Sequence, residues 1–206
     1  MSKKNYTHLT LIVDRSGSMS NLATEVSGSI NKLIEDQAAV EEGEITISII
    51  QFDTEYEVVD WFTPAQNIDP YTLVPRGMTA MNDSVHRAIL ETKAKIKEMP
   101  KDERPENIIV TIVTDGYENA SREVNNEQLK ALVENRRAKD WEFVFMASNI
   151  DAQATASQFS INNHRTMAHT AQAYGASYET LNQAIATTRV AGKSFDTAWA
   201  EENEKE

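Results

Sequence analysis

The chain has 206 residues, of which 40% are hydrophobic and 25% are charged, so it is long enough to bury the core of one large domain or of a domain with a helical extension. Its net charge is -12, from 20 basic and 32 acidic residues. An acidic chain repels phosphate backbones, which argues against a nucleic-acid partner. Cysteine is absent, which excludes disulfides, thiolate metal sites and cysteine nucleophiles and agrees with a reducing compartment.

Apolar runs in the sequence are short. The first, Leu9–Val13, is followed at once by Asp14 and is too short for the hydrophobic region of a signal peptide, which needs about 7–15 apolar residues. No stretch approaches the roughly 18 consecutive apolar residues of a membrane-spanning helix. The sequence therefore predicts a cytoplasmic protein with no membrane partner.

The first half of the chain alternates strand and helix patterns. The apolar, β-branched residues 9–13 predict a buried strand. A helix follows, because apolar residues recur at spacings of three and four between Leu22 and Ala38. Residues 45–52 and 56–62 predict two further strands joined by a tight turn, which is typical of a hairpin. Prolines mark residues 63–77 as a long loop.

The second half continues the alternation. Its predicted elements are, in order, a helix capped by Asn82 or Asp83 and reaching Ile96, a strand over 108–113, a helix around 126–138, a strand over 142–147, a short helix over 152–159, an edge strand over 165–169 and a helix over 175–190. This alternation favours a mostly parallel sheet. The predicted fold is therefore α/β, a three-layer doubly wound (Rossmann-like) sheet with helices on both faces and one antiparallel edge strand from the hairpin. The acidic residues 201–206 are expected to fray.

Oxygen-bearing side chains follow the predicted strands. Asp14, Ser16 and Ser18 follow the first strand at alternate positions, which in an extended turn point to one side. Asp115 follows the most hydrophobic strand, and Thr79 lies at the end of the long loop. In a parallel α/β sheet, functional groups gather at the carboxyl ends of the strands. Two carboxylates and three hydroxyls make an all-oxygen set, which suits Mg²⁺, Mn²⁺ or Ca²⁺ and not zinc.

Three segments resemble the metal-site motifs of the von Willebrand factor A domain family. Asp14-Arg-Ser-Gly-Ser-Met resembles its D-x-S-x-S signature, and Arg76-Gly-Met-Thr-Ala and Thr114-Asp-Gly resemble its other two metal-site segments, in the family's order. Each motif alone is common, whereas three in order are specific. Phe52-Asp53 resembles stand-alone bacterial and phage members. The resemblance covers about residues 6–160, and we expect 161–206 to form the C-terminal portion of one domain spanning 1–206.

The resemblance implies a metal-ion-dependent adhesion site. In the family, the residues that match Ser16, Ser18 and Thr79 bind the cation directly or through water, and those that match Asp14 and Asp115 orient the waters and supply negative charge. The family is mostly non-catalytic and binds proteins, and some intracellular members serve ATPase assemblies. The expected function is therefore a protein-binding module, in which Mg²⁺ (or Mn²⁺ or Ca²⁺) coordinates an Asp or Glu of a partner protein. The oligomeric state stays open.

Two other functions stay open at this stage. A phosphatase-like, Mg²⁺-dependent phosphoryl-transfer enzyme also places an aspartate after its first strand. Such an enzyme needs a second aspartate where this chain has Ser16, and a lysine near its third motif, whereas no lysine lies between Ile108 and Gln128. The other possibility is a scaffold with a vestigial metal site, which is disfavoured because every expected oxygen ligand is present.

The residues beside the candidate site carry weaker expectations. Arg15, between the site residues, is expected to face solvent. Tyr117, Glu118 and Asn119 flank the site and either touch a partner or, as is more usual for loop residues, hydrogen-bond locally. The four histidines are scattered in the sequence, and none is paired with a carboxylate at the spacing of metal ligands.

Overall fold

A computed structural model describes residues 2–148, 151–166 and 171–204. In these ranges six strands form one sheet in the order β3-β2-β1-β4-β5-β6. The strands are β1 Lys3–Asp14, β2 Glu44–Phe52, β3 Tyr56–Pro64, β4 Pro105–Thr114, β5 Trp141–Ala147 and β6 Asn163–Thr166. β3 runs antiparallel to β2, and the other neighbouring pairs are parallel.

Helices cover both faces of the sheet. Within the described residues they are α1 Ala23–Ala39, α2 Met81–Glu98, α3 Asn126–Arg137, α4 Ala152–Gln158, α5 Ala171–Ala191 and α6 Phe195–Asn203, with short 3₁₀ segments at Gly17–Asn21, Ala65–Asn67 and Lys101–Glu103. One buried apolar cluster includes side chains of α1, α5 and α6, and the other includes side chains of α2, α3 and α4. The predicted three-layer α/β sheet with one antiparallel edge strand is therefore confirmed. Among the helices described, none is long and apolar enough to cross a bilayer.

The central strand β1 is buried on both faces. Every residue from Tyr6 to Asp14 is buried, and its side chains alternate between the two clusters: Leu9, Leu11 and Val13 belong to the first, and Ile12 belongs to the second. A strand covered on both faces needs apolar residues on both. This explains the continuous apolar run that the sequence shows.

The strand order creates a crevice at the carboxyl end of the sheet. From β1 the chain winds outward through β2 to β3, then returns to β4 on the other side of β1 and continues to β5 and β6. In such sheets, ligands bind where the winding direction reverses, here between β1 and β4. Asp14 ends β1 and Asp115 directly follows β4, so the two aspartates stand on either side of this crevice.

Two local predictions need correction. The N-cap of α2 is Ala80, which makes no side-chain capping bond, so the predicted cap at Asn82 or Asp83 is wrong. A residue distant in sequence takes over, because the Glu118 carboxylate accepts a hydrogen bond from the Asn82 amide at 2.7 Å. The edge strand predicted over 165–169 lies at Asn163–Thr166, and residues 167–169 are outside the described ranges.

Helix α6 was not predicted. Its nine residues include only three buried apolar side chains, Phe195, Ala198 and Trp199, so the periodic signal is too short to stand out. Ser194 caps the helix by accepting a hydrogen bond from the Thr197 amide. Residues 201–203, which were expected to fray, continue this helix instead.

Candidate metal centre

Asp14 is fully buried at the end of β1. Its Oδ1 accepts a hydrogen bond from the Ser16 amide at 2.7 Å, and its Oδ2 accepts one from the Thr114 hydroxyl at 2.6 Å. The first bond shapes the turn after β1, and the second joins that turn to the end of β4. Asp14 is therefore held by both strands that border the crevice.

The two serines connect the loop after β1 to Asp115. The hydroxyls of Ser16 and Ser18 lie 3.0 Å apart and share a hydrogen bond. The Ser18 hydroxyl donates a hydrogen bond to Asp115 Oδ1 at 2.6 Å. Asp115 is 2% exposed, whereas Ser18 is exposed, so a hydrogen-bonded chain of oxygen atoms runs from one strand end to the next and is accessible at Ser18.

The Thr79 hydroxyl reaches the same place from the loop before α2. A Cβ atom on Gly116 would lie 3.7 Å from Ser18 Oγ and 3.9 Å from Thr79 Oγ1, so both hydroxyls border the space next to Gly116. The loops also bond through their backbones, because the Gly17 amide donates to the Gly77 carbonyl oxygen at 3.1 Å. The structure therefore brings together all the residues of the predicted site, from three separate loops.

Asn119 and Glu118 hold Thr79 in position. The Asn119 side-chain oxygen accepts a hydrogen bond from the Thr79 amide at 3.0 Å, and the Asn119 amide donates to the Thr79 carbonyl oxygen at 3.1 Å. Glu118 accepts hydrogen bonds from the amides of Ala120 and Ser121 and so shapes the loop that carries Asn119. Both residues therefore hydrogen-bond within the chain, in part to residues distant in sequence, whereas Tyr117 is 62% exposed. The sequence places these residues beside the site, whereas their support of Thr79 depends on contacts between two separate loops.

Arg15 is buried, so the prediction that it faces solvent is wrong. Its side chain pairs with Asp53, Nε to Oδ2 at 3.0 Å, and also with Glu57. Successive positions of an extended turn point to opposite sides. Since Asp14 and Ser16 face the crevice, Arg15 is directed to the β2–β3 hairpin, where these acidic partners lie.

The electrostatics of the site suit a cation. The pKa of the Asp14 carboxyl is raised to about 6: burial is the largest cause, the charge of Asp115 adds to it, and hydrogen bonds from Thr114 and Ser16 act in the opposite direction. Two carboxylates that repel each other away from water are stabilised by a positive charge between them. The donors are all oxygen atoms, which fit a hard divalent cation. Among the described residues, no three His, Cys, Asp or Glu side chains form a metal-binding group, so the hydroxyls are needed to complete the set.

Comparison with known proteins gives matches in structure alone. No family profile matches the sequence, and no curated protein matches it. A von Willebrand factor type A structure from Catenulispora acidiphila superposes with a TM-score of 0.63 at 11% identity, covering 90% of this chain and 43% of that chain. The pilus adhesin SpaC from Lactobacillus rhamnosus GG superposes with a TM-score of 0.67 at 12% identity, covering 90% of this chain and 30% of that chain.

A third structure contains a metal. Proximal thread matrix protein 1 from the mussel byssus, with a zinc-occupied MIDAS (metal-ion-dependent adhesion site) motif, superposes with a TM-score of 0.60 at 11% identity, covering 89% of this chain and 46% of that chain. This chain spans less than half the length of each of these three chains. Identities this low speak to the fold alone. The strand order, the layers and these superpositions together show that the chain has the fold of a von Willebrand factor A domain.

Proposed function

We propose that this chain is a non-enzymatic module that binds a protein partner through a divalent cation. The observation that carries the proposal is the convergence of Asp14, Ser16, Ser18, Thr79 and Asp115 at the carboxyl end of the sheet, with the serine hydroxyls 3.0 Å apart and Ser18 bonded to Asp115 at 2.6 Å. These residues come from three loops that are far apart in the sequence. A bound cation would be coordinated by the oxygen atoms that meet here.

Each residue has a proposed part in holding the cation. The hydroxyls of Ser16, Ser18 and Thr79 serve as neutral ligands, while Asp14 and Asp115 supply negative charge and orient the ligands around it. A cation held with so few anionic ligands supplies Lewis acidity toward a carboxylate from outside the chain. Mg²⁺ is the proposed cation, with Mn²⁺ or Ca²⁺ as alternatives of the same hard class.

The proposed partner is a cytoplasmic protein that offers an Asp or Glu to the cation, and an ATPase assembly is one candidate. Met78 and Tyr117 support a partner surface here, because they adjoin the site in sequence and are 53% and 62% exposed. Exposed apolar and aromatic side chains next to a polar centre are typical of protein interfaces. We also propose that residues 1–206 form one domain, since α5 and α6 contribute to the same buried cluster as β1.

Titration calorimetry tests the cation site. Mg²⁺, Mn²⁺, Ca²⁺ and Zn²⁺ are titrated separately into the wild type and into Asp14→Ala, with circular dichroism to establish that the variant is folded. We expect the wild type to bind at least one hard cation and Asp14→Ala to bind it at least about tenfold more weakly. Equal affinities, or no binding of any of the four by the wild type, contradict the proposed site.

Partner capture separates a working site from a vestigial one. The wild type and Asp14→Ala are used as baits in parallel, each with Mg²⁺ and with EDTA. The proposal predicts a protein that is retained by the wild type with Mg²⁺ and lost both on chelation and in the variant. A partner retained equally in all four conditions shows that the cation is not needed for binding, which favours a scaffold with a vestigial site.

A further inference from the structure

Asp53 joins two arginines from different loops. It lies at the start of the turn between β2 and β3 and is buried. Its Oδ2 accepts hydrogen bonds from Arg15 Nε at 3.0 Å and from Arg76 Nε at 2.8 Å. Its Oδ1 accepts one from the Glu55 amide at 2.6 Å, which closes the turn. Both oxygens of the carboxylate are therefore engaged by donors of the chain itself.

The two arginines belong to the loops that carry the proposed cation ligands. Arg15 stands between Asp14 and Ser16, and Arg76 opens the segment that leads to Thr79. The loops touch at the arginines themselves, because the Arg76 amide donates to the Arg15 carbonyl oxygen at 2.6 Å. A carboxylate that holds both side chains therefore holds both loops.

The backbone of Asp53 also contacts the Thr79 loop. The amide of Ala80, the residue after Thr79, donates to the Asp53 carbonyl oxygen at 2.9 Å. Gly77 adopts a positive φ of 71°, and a Cβ atom there would lie 3.1 Å from Asp53 Cβ. Both the backbone conformation and this close approach favour glycine. The loop consequently has little room to shift against Asp53.

We propose that Asp53 is a positioning residue of the cation site. Through Arg15 and Arg76 it holds the Ser16–Ser18 loop against the loop that carries Thr79, so that the hydroxyls meet. This inference rests on the proposed cation-binding function. Because arginine and backbone donors already engage both of its oxygens, Asp53 places the ligands and is not one of them.

Charge explains why the contact matters beyond simple packing. The side chains of Arg15 and Asp53 are 5% and 2% exposed. A buried charge that loses its partner is strongly unfavourable, so the surrounding structure rearranges to solvate it. Without the Asp53 carboxylate, Arg15 would keep Glu57 as its acidic partner, and the Glu57 side chain is 52% exposed. Arg15 would therefore be drawn toward solvent, and its backbone lies between two site residues. Its less balanced positive charge would also stand beside the cation.

Titration of Mn²⁺ into the wild type, Asp53→Asn and Asp36→Asn tests the proposal. Asp36 is the matched control, because it also pairs with a cationic side chain, Lys32 at 2.8 Å, but near the end of α1. We expect Asp53→Asn to bind Mn²⁺ about 10- to 100-fold more weakly and Asp36→Asn to bind it as the wild type does. Wild-type affinity in Asp53→Asn, even with a lowered melting temperature, overturns the proposal. Absence of Mn²⁺ binding by the wild type overturns the proposed function instead.

Arg76→Gln keeps the proposal testable where Asp53→Asn does not fold. The Arg76 side chain is 53% exposed, so its removal should leave the fold intact while breaking its contact with Asp53. We expect Mn²⁺ binding to weaken about threefold, as for the loss of one partly exposed ion pair. The Asp53→Asn/Arg76→Gln double variant should bind no more weakly than Asp53→Asn alone, because both changes break one contact. Unchanged Mn²⁺ affinity in Arg76→Gln contradicts the proposal that Asp53 positions the loops through Arg76. Losses of Mn²⁺ affinity that add fully in the double variant contradict it as well.

Discussion

Both carboxylate oxygens of Asp14 are engaged within the chain, one by the Ser16 amide and the other by the Thr114 hydroxyl. A buried carboxylate held in this way is suited to supply charge and to orient neighbouring groups. It is poorly suited to attack a phosphoryl group, because nucleophilic attack needs a free, accessible oxygen. Ser16 also stands where a phosphatase-like enzyme needs a second aspartate. The geometry around these residues therefore argues against Asp14 as a phosphoryl-accepting nucleophile.

Gly116 offers a sharp test at the residue scale. A Cβ atom there would make ordinary contacts of 3.7 Å with Ser18 and 3.9 Å with Thr79, so the fold should accept Gly116→Ala. The added methyl group would occupy space between hydroxyls that are proposed to hold the cation. We expect Mn²⁺ affinity in calorimetry to fall at least about tenfold with a nearly unchanged melting temperature.

Gly28 provides the control for that substitution. A Cβ atom at Gly28, in α1, would have nothing within 4 Å, so Gly28→Ala should leave Mn²⁺ affinity unchanged and raise stability by about 0.5–1 kcal/mol, as glycine-to-alanine changes in helices do. If Gly116→Ala binds Mn²⁺ as tightly as Gly28→Ala, the space beside Gly116 is not part of the cation site.

At the scale of elements, the last helix meets the sheet through two acidic residues. Glu142 of β5 is half-buried, and the pKa of its carboxyl is raised to about 7. Burial is the largest cause, Asp196 of α6 and Asp140 add to it, and Arg137 acts in the opposite direction. Glu142 therefore binds a proton more strongly in the folded protein than in the unfolded chain. The associated stability is fully present below about pH 4.5, the ordinary pKa of Glu, and is lost as pH rises through about 7.

This linkage predicts a pH dependence of stability. Between about pH 5.5 and pH 8 the wild type should lose about 1 kcal/mol more unfolding free energy than Glu142→Gln, after allowance for the partial exposure of Glu142. Urea denaturation at both pH values measures the difference. Glu35→Gln, an exposed change on α1, should follow the wild type. If the unfolding free energies of the wild type and Glu142→Gln change equally with pH, the Glu142 carboxyl does not cause the pH dependence of stability.

At the scale of the whole molecule, cation binding should be coupled to global stability. A ligand that binds only the folded state adds about 2.7 kcal/mol when its free concentration is 100 times its dissociation constant. The proposed ligands come from the loops after β1, before α2 and after β4, so the site exists only when the sheet is assembled. We expect Mn²⁺ to raise the melting temperature of the wild type, EDTA to reverse the rise, and Asp14→Ala to show neither effect. A rise of equal size in Asp14→Ala would place the stabilising cation elsewhere.

The sequence by itself determined the features that depend on local patterns. Runs that are apolar except for one threonine each marked β1 and β4 as buried strands, and three- and four-residue spacing marked the amphipathic helices. The same local reading found Asp14, Ser16 and Ser18 as a set. Helix α6 was not predicted because its buried apolar side chains, which end at Trp199, span about one turn. So few residues give too weak a periodic pattern to identify a helix from sequence.

Only the tertiary structure decided how distant segments meet. Thr79 and Asp115 join the serines because the chain reverses its winding between β1 and β4, and a periodic pattern contains no information about strand order. Arg15 is buried because acidic partners from the hairpin compensate its charge, which no neighbour in sequence could reveal. The candidate ligands were thus readable from local motifs, whereas the contacts that hold them together arise from packing between residues far apart in the chain.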